Sequence, residues 1–145
     1  MKQTLLIIVA LLLLSQLIRP ERTNPPVNPD EALQAPEEIE TVLRQSCYDC
    51  HSNETRWPWY SNLAPFSWTI ASHVKEGRRA LNFSKWQTIP EKIKIKRLKR
   101  AIQTVSNNMM PLPSYLWLHK EAKLTKAQKS LLKAWFEKEL AKLEK

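Results

Sequence analysis

Glycine is almost absent from this chain, which has one glycine and ten prolines among its 145 residues. Tight hairpins and phosphate-binding loops both need glycine at positions with unusual backbone angles, so neither structure is expected. Stretches rich in Lys, Glu, Leu and Ala, separated by prolines, favour helices joined by proline-containing loops. No segment shows the alternation typical of a strand. The sequence therefore predicts an all-α fold, and its length allows one modest domain with short appendages.

Periodic apolar residues and start signals predict four helices and one shorter helix. The four helices begin at or next to Pro36, Pro65, Pro90 and Thr125. Thr125 is followed three residues later by Gln128, which is a capping-box pattern, and proline is common in a first helical turn. The shorter helix is expected between Ser114 and Lys120. The predicted architecture is a small bundle of four to five helices around one core.

The amino terminus contains an apolar run from Thr4 to Ile18, which indicates a membrane-targeting segment. Its length lies between the apolar region of a cleavable signal and a comfortable span of roughly 20 residues. A small-x-small cleavage pattern is missing, because no alanine occurs between Ala10 and Ala32. We therefore predict an uncleaved membrane helix at residues 1–18. The alternative is a signal segment whose cleavage releases the protein into the periplasm.

Residues 19–36 are rich in proline, with Asn, Asp and Glu between the prolines. Such a composition stays extended and buries little surface, so this segment is predicted to be a tether. Residues 37–145 form the predicted globular domain and contain the helices described above.

Both cysteines of the chain lie in the sequence CYDCH, as Cys47 and Cys50, and His51 directly follows the second. Four interpretations compete. A thioredoxin-type redox pair should follow a strand in an α/β pattern, and no strand is expected here. A zinc site needs four ligands, and only His73 and His119 are left to complete one. A structural disulfide leaves His51 without a role.

The fourth interpretation, a CxxCH site for covalent haem, accounts for all three residues at once. Each thiol adds to one vinyl group of the haem, and the histidine becomes the proximal ligand of the iron. Haem c is attached outside the cytoplasm, where the amino-terminal segment would deliver the domain. The sequence therefore predicts one covalent haem c, held by Cys47, Cys50 and His51.

A six-coordinate iron needs a second axial ligand, and the candidates are Met109, Met110, His73 and His119. Met110 is predicted, because the prolines at 111 and 113 restrict its loop and can hold a soft thioether against iron. His73 is the alternative distal ligand, although a histidine on a helix can equally be a core residue or a partner of a haem propionate. The doubled methionine leaves the choice between Met109 and Met110 open.

Positive charge is concentrated in the second half of the chain, most densely from Lys92 to Arg100, and the formal net charge is +9. A basic helix face of this kind can attract an acidic redox partner or anionic lipid headgroups, or can simply be solvated. Arg56, Arg78 and Arg79 are candidate partners for haem propionates, because guanidinium matches carboxylate geometry. Nucleic acid is not an expected partner for an exported domain.

The motifs CYDCHSNETRWPWYSNLAPFSW, EGRRALNFSKW and MPLPSYLWLHKEAKLT resemble a family of small bacterial haem-binding domain proteins, over roughly Glu37 to Leu140. The amino-terminal RPERTNP is similar to a segment that often precedes this domain. The resemblance implies a monohaem c-type cytochrome with haem on Cys47 and Cys50 and with His51 as proximal ligand. It also matches the Met-Pro pair at Met110.

Three functions are compatible with these residues. The preferred one is an electron carrier that is not an enzyme, tethered at the periplasmic face of the bacterial inner membrane, with His51 and Met110 as axial ligands. The second is a haem peroxidase or gas sensor, in which the sixth position is labile and His73 acts as a distal acid or base. In the third, the haem mainly stabilises a small subunit of a larger membrane complex.

Overall fold

A computed structural model describes residues 1–145 and contains helices and no strands, which confirms the all-α prediction. The helices are α1 (Lys2–Ser15), α2 (Glu37–Ser46), α3 (Tyr48–His51), α4 (Phe66–Ala80), α5 (Glu91–Ser106), α6 (Pro113–Leu116) and α7 (Lys126–Leu143). Short 3-10 turns lie at Pro29–Glu31, Trp59–Asn62, Phe83–Thr88 and Lys120–Ala122. The four predicted long helices of the domain correspond to α2, α4, α5 and α7.

The observed helix ends agree closely with the start signals in the sequence. Pro36 and Pro90 each lie one residue before a helix, and the Thr125 hydroxyl accepts a hydrogen bond from the Gln128 amide at 3.1 Å, as the capping box predicts. The short helix expected up to Lys120 is shorter, because α6 ends at Leu116. His119 has non-helical backbone angles, with φ of −128° and ψ of 65°, and its ring is held by other side chains, so the helix does not continue.

The core lies between α2, α5 and α7 and is extended by the 3-10 turn at Phe83–Thr88. Leu43 and Leu132 are fully buried at its centre. Burial of a leucine of this kind contributes roughly 2 kcal/mol to stability. Trp135 and Phe136 pack with rings 5.3 Å apart and complete the α7 side of the core. The core holds α2 and α5 in place, and these helices border the cavity described below.

The N-terminal helix α1 has 14 residues, and none of them is buried. None of the helices, α1 included, combines the length and the apolar character needed to cross a membrane. The N-terminal membrane helix predicted from the sequence is thus not found. The helix ends at Ser15 because the Ser15 hydroxyl donates to the Leu12 carbonyl at 2.7 Å and the Gln16 side chain bonds to Ala64 instead of continuing the helix.

Most of residues 19–36 are exposed, as expected of an extended segment, but several of them contact the domain. Arg22 donates to the Ser61 carbonyl at 2.8 Å, and the Asn24 side chain donates to the Thr55 carbonyl at 2.9 Å. Leu33 is buried in the main core. The proline-rich composition keeps the segment extended, and the extended backbone leaves these side chains free to bond to the domain.

Candidate functional site

The CYDCH sequence forms a tight helical turn directly after α2. The Cys47 carbonyl accepts hydrogen bonds from the amides of Cys50, at 3.2 Å, and His51, at 2.9 Å. Residues three and four apart in such a turn lie on one face. Cys47 and His51, four residues apart, lie on the same side of this turn, since both line the cavity described below.

An apolar cavity lies beside this turn. Its volume is about 230 Å³, and it is open to solvent on one side. Three of the predicted site residues line it, namely Cys47, His51 and Met110, whereas Cys50 and His73 do not. Its apolar wall is formed by Ala80, Leu81, Phe83, Ala101, Val105, Pro111, Leu124 and Phe136. An apolar cavity with a few convergent ligating side chains is typical of a cofactor site.

The His51 ring is oriented by the backbone that follows α4. Its Nδ1 lies 3.0 Å from the Leu81 carbonyl oxygen. Since a carbonyl oxygen only accepts hydrogen bonds, Nδ1 carries the proton and Nε2 keeps a free lone pair. Burial lowers the pKa of His51 more than its backbone hydrogen bonds raise it. The neutral form of imidazole, which is the form that binds metals, is therefore favoured.

Gly77 is the only glycine of the chain and lies where α4 packs against α3. A Cβ atom at this position would be 2.4 Å from the Cys50 carbonyl oxygen and 3.0 Å from the Cys50 Cβ. Such distances are far below van der Waals contact, so any side chain would displace the motif or the helix. Glycine is required here because two backbones approach closely.

Asp49, which lies between the two cysteines, ties the motif to two other parts of the chain. Arg56 donates to both of its carboxylate oxygens at 3.1 Å, and the Tyr115 hydroxyl donates to Oδ2 at 2.7 Å. Burial would raise the pKa of the Asp49 carboxyl, but these hydrogen bonds outweigh it and hold the pKa below its usual value. Tyr115 belongs to α6, which directly follows the loop of Met110, so its hydrogen bond joins the two sides of the cavity.

The two methionines of the SNNMMPLP loop differ in position. Met110 lines the cavity, whereas Met109 is 52% exposed. Both amides donate to the Thr104 carbonyl, at 2.9 Å for Met109 and 3.2 Å for Met110. Asn108, with φ of 57°, reverses the chain at the end of α5. The loop therefore directs one sulfur inward and leaves the other in solvent.

The remaining histidines do not reach the cavity. His73 is half-buried on α4 and is absent from the lining. The His119 ring stacks on Tyr115 with centroids 4.2 Å apart, and its nitrogens lie 2.6 Å from the Tyr60 hydroxyl and 3.1 Å from a Glu121 carboxylate oxygen. Both nitrogens of His119 thus have protein partners, and its role is to hold the loop after α6.

Both thiols are free and half-buried. Burial raises the pKa of Cys47 to about 12 and that of Cys50 to about 11. A reactive redox pair needs a lowered thiol pKa. No group of three or more His, Cys, Asp or Glu side chains is placed to hold a metal ion, which leaves the zinc interpretation without a complete ligand set.

The cationic side chains beside the cavity are not those that the sequence suggested. Arg56 is bound to Asp49, and Arg79 is paired with Glu76. Arg78 donates to four oxygens, which belong to Ser52, Thr23, Asn24 and Thr55. The cavity is instead bordered by Lys96, Arg97 and Arg100 of α5. The sequence indicated a basic run from Lys92 to Arg100, but not that part of this run borders the cavity, because that depends on how α5 packs.

Other residues of the site were also missed by sequence reasoning. The tryptophans that follow the motif do not line the cavity, and its aromatic walls are Phe83 and Phe136. Phe83 stacks on Tyr48 of the motif with ring centroids 5.4 Å apart. Nothing in the spacing of the aromatic residues distinguishes these two phenylalanines, because their position depends on contacts between distant segments.

These residues fit a haem group. The cavity has apolar walls, a thiol of the CxxCH motif, an imidazole with a free Nε2 lone pair, a thioether and a cationic border. Proteins bind haem c through thioether links to cysteine and through nitrogen or thioether ligands to the iron. Arginine often pairs with the haem propionates.

Comparison with known proteins agrees with this chemistry. Comparisons with curated proteins and with solved structures find no match. A family model described as haem-binding domain matches residues 10–138, which is most of the chain. The chain therefore belongs to the haem-binding domain family.

Proposed function

We propose that the protein is a c-type cytochrome that carries electrons at the periplasmic face of a bacterial inner membrane. The single observation that carries this proposal is that Cys47, His51 and Met110 line one apolar cavity. These residues come from two segments far apart in the chain, so their meeting at one cavity is not a consequence of the local sequence.

Each residue has a separate role in the proposed site. Cys47 and Cys50 would hold the haem through thioether bonds, and His51, through Nε2, and Met110, through its sulfur, would be the protein ligands of its iron. The Leu81 carbonyl holds the His51 ring in the required orientation through Nδ1, at 3.0 Å. When bound, the haem supplies one-electron redox chemistry. The apolar wall keeps water away from the iron ligands and raises the reduction potential together with the thioether.

Cys50 takes part in this proposal although it does not line the cavity. Its amide donates to the Cys47 carbonyl at 3.2 Å, and its backbone lies close to Gly77. Because its side chain starts from a fixed backbone, a rotation about its Cα–Cβ bond decides where the sulfur points. Attachment of the haem would fix that rotation.

The border of the cavity supports an acidic redox partner. Lys96 and Arg100 are exposed and have no carboxylate partner within the chain, while Arg97 donates to the Arg79 carbonyl at 3.1 Å. These three cations can neutralise haem propionates and attract an acidic protein toward the open side of the cavity. An electron carrier needs a partner to approach the haem edge and needs no substrate pocket.

The position of His73 favours electron transfer over a peroxidase or a gas sensor. Those functions need a distal acid or base close to the iron. His73 is the histidine that sequence reasoning offered for that role, and it does not line the cavity. Met110 does line the cavity, and a thioether that holds the iron would leave no open position for peroxide or a gas.

The test is expression of the full chain in a bacterium with a cytochrome c maturation system. The expected product is a red protein that keeps its colour in cold acidified acetone. Its spectrum in alkaline pyridine should be that of a haem with both vinyl groups converted to thioethers. The ferric form should show the weak near-infrared band of methionine ligation. Complete extraction of the haem by acid acetone would overturn covalent attachment, and a high-spin ferric spectrum at neutral pH would overturn electron transfer through a six-coordinate iron.

A further inference from the structure

Three large apolar side chains are exposed together around the start of α4, and we call them the Trp59 patch. They are Trp59, Leu63 and Phe66, with 76%, 45% and 59% of their surfaces exposed. The 3-10 turn at Trp59–Asn62 packs directly against α4, and Leu63 lies in the short connection between them. None of them lines the cavity. Exposed apolar groups of this size at one place mark an interaction surface.

The Trp59 patch is bonded to the end of the apolar N-terminal segment. The Ala64 amide donates to Gln16 Oε1 at 2.9 Å, and Gln16 Nε2 donates to the Ala64 carbonyl at 3.3 Å. Trp68 Nε1 donates to the Ile18 carbonyl at 2.8 Å. These three hydrogen bonds attach the chain at residues 16–18 to the segment that carries the patch. The patch and α1 therefore face the same surroundings.

Helix α1 identifies those surroundings. All of its long apolar side chains are exposed, for example Leu5 at 63% and Leu13 at 67%, and the apolar residues lie all round the helix. Although α1 cannot cross a bilayer, its exposed apolar side chains need an apolar cover, and insertion into the outer part of a lipid leaflet provides one. Arg19, at its end, is exposed and can bind an anionic headgroup.

We infer that the Trp59 patch docks on the lipid bilayer that receives α1, so that the domain lies against the membrane surface. Trp59 suits this place, because an aromatic ring with one polar atom is stable at the boundary between headgroups and hydrocarbon. The inference rests on the membrane location proposed above and not on haem attachment. Since the patch and the cavity share no residue, the cavity stays accessible to a partner while the domain is docked.

The test uses the haem-loaded full chain, reconstituted in vesicles of phosphatidylethanolamine and phosphatidylglycerol. Transfer from these vesicles to an excess of acceptor vesicles is compared for the natural chain and for Trp59→Ser/Leu63→Ser/Phe66→Ser. Loss of three apolar contacts should speed transfer by about tenfold or more. The matched control is Val27→Ser/Ile93→Ser, because each of these side chains is 38% exposed and lies outside the patch. Transfer of the control should change less than twofold.

A spin label distinguishes lipid from other occupants of the patch. A nitroxide on Phe66→Cys should be reached by oxygen, which dissolves in lipid, and protected from a water-soluble nickel chelate, with the opposite result on Ile93→Cys. Equal transfer rates of the patch and control variants, or equal nickel access at both labels, would overturn the inference. Spin–spin broadening that disappears on dilution with unlabelled protein would also overturn it, since a second copy would then cover the patch. The haem spectrum, measured on the same samples, reports separately on the proposed function.

Discussion

The two sides of the cavity differ in how their backbones are held. On the side of Cys47 and His51, side-chain hydroxyls bond to the backbone of the motif. On the Met110 side, two backbone amides share one carbonyl. Ser52 and Thr55 donate their hydroxyls to the Tyr48 and Asp49 carbonyls, each at 2.8 Å. The Met110 loop instead depends on the Thr104 carbonyl, and the neighbouring Met109 is exposed.

This difference indicates how the site divides its tasks. A covalent attachment needs two sulfurs and an imidazole in a fixed relative position before the haem arrives, and the hydrogen-bonded turn provides that. A thioether ligand is flexible and soft, so its loop can adjust after the haem is in place. We expect changes on the motif side to disrupt assembly and changes on the Met110 side to alter the properties of an assembled protein.

The largest effect is expected for Cys47→Ser/Cys50→Ser. Without thiols no thioether bond can form, so covalent haem should be lost completely. The measurement is acid–acetone extraction followed by the pyridine spectrum of the polypeptide. The single variants serve as controls, and each should keep one link, with the spectrum shifted toward that of haem with one free vinyl group. Covalent haem in the double variant would show that other residues attach it.

Gly77→Ala should destabilise the domain by about 2 to 3 kcal/mol, because the new Cβ would lie 2.4 Å from the Cys50 carbonyl oxygen. Chemical denaturation followed by circular dichroism measures the change, and the yield of covalent haem should fall with it. Ser72→Ala is the matched control, since Ser72 is an exposed residue of the same helix and its loss should cost less than about 0.5 kcal/mol. Equal stability of the two variants would mean that the α3–α4 contact relaxes without cost.

Met110→Ala should remove the sixth ligand, turn the ferric iron high-spin and lower the reduction potential by on the order of 100 mV. Met109→Ala is the control within the same loop, because its side chain is 52% exposed and should leave spectrum and potential unchanged. Potentiometric titration with optical detection measures both. The opposite pattern would exchange the roles of the two methionines.

Tyr115→Phe tests the connection between the two sides. It removes the 2.7 Å hydrogen bond to Asp49 and leaves the ring that stacks on His119. We expect a loss of about 1 to 2 kcal/mol in stability and tighter binding of added imidazole to the ferric iron, because the Met110 loop is released. Tyr60→Phe is a matched control, since Tyr60 contacts His119 but not Asp49. Unchanged imidazole binding would show that the two sides are held independently.

The smallest effect is expected at the border of the cavity. Lys96→Glu/Arg100→Glu should slow oxidation of the ferrous protein by ferricyanide roughly threefold at low ionic strength, and high salt should remove the difference. Lys138→Glu/Lys145→Glu makes the same change of charge at exposed positions that do not line the cavity. A slower reaction in both variants would assign the effect to overall charge and not to the border.

Local sequence patterns predicted a large part of this molecule. Helix periodicity and capping located α4, α5 and α7, because these signals depend on residues three and four apart. Met110, the predicted distal ligand, lines the cavity, whereas Met109 does not. The ligand roles of Cys47, His51 and Met110 stay predictions until the haem protein is measured.

Contacts between distant segments could not be predicted. The need for glycine at Gly77 arises from the approach of α3, and nothing beside it in sequence indicates that. Arg78 was a candidate for a propionate, but its guanidinium is used by four protein oxygens. The sequence around an arginine does not reveal which atoms its guanidinium contacts, because those contacts depend on tertiary packing. The 14-residue limit of α1 also depends on such contacts, through Gln16 and Ala64.

Arg78 has a consequence for where this protein can be shortened. Its guanidinium donates hydrogen bonds to oxygens of Thr23 and Asn24 in the N-terminal segment and to oxygens of Ser52 and Thr55 after the motif. A fragment that starts at Pro36 would remove two of the four oxygens that accept from Arg78, and Nη1 would lose its Thr23 acceptor. The smallest unit that folds as it does in the intact chain therefore begins before Thr23, upstream of the first helix of the domain.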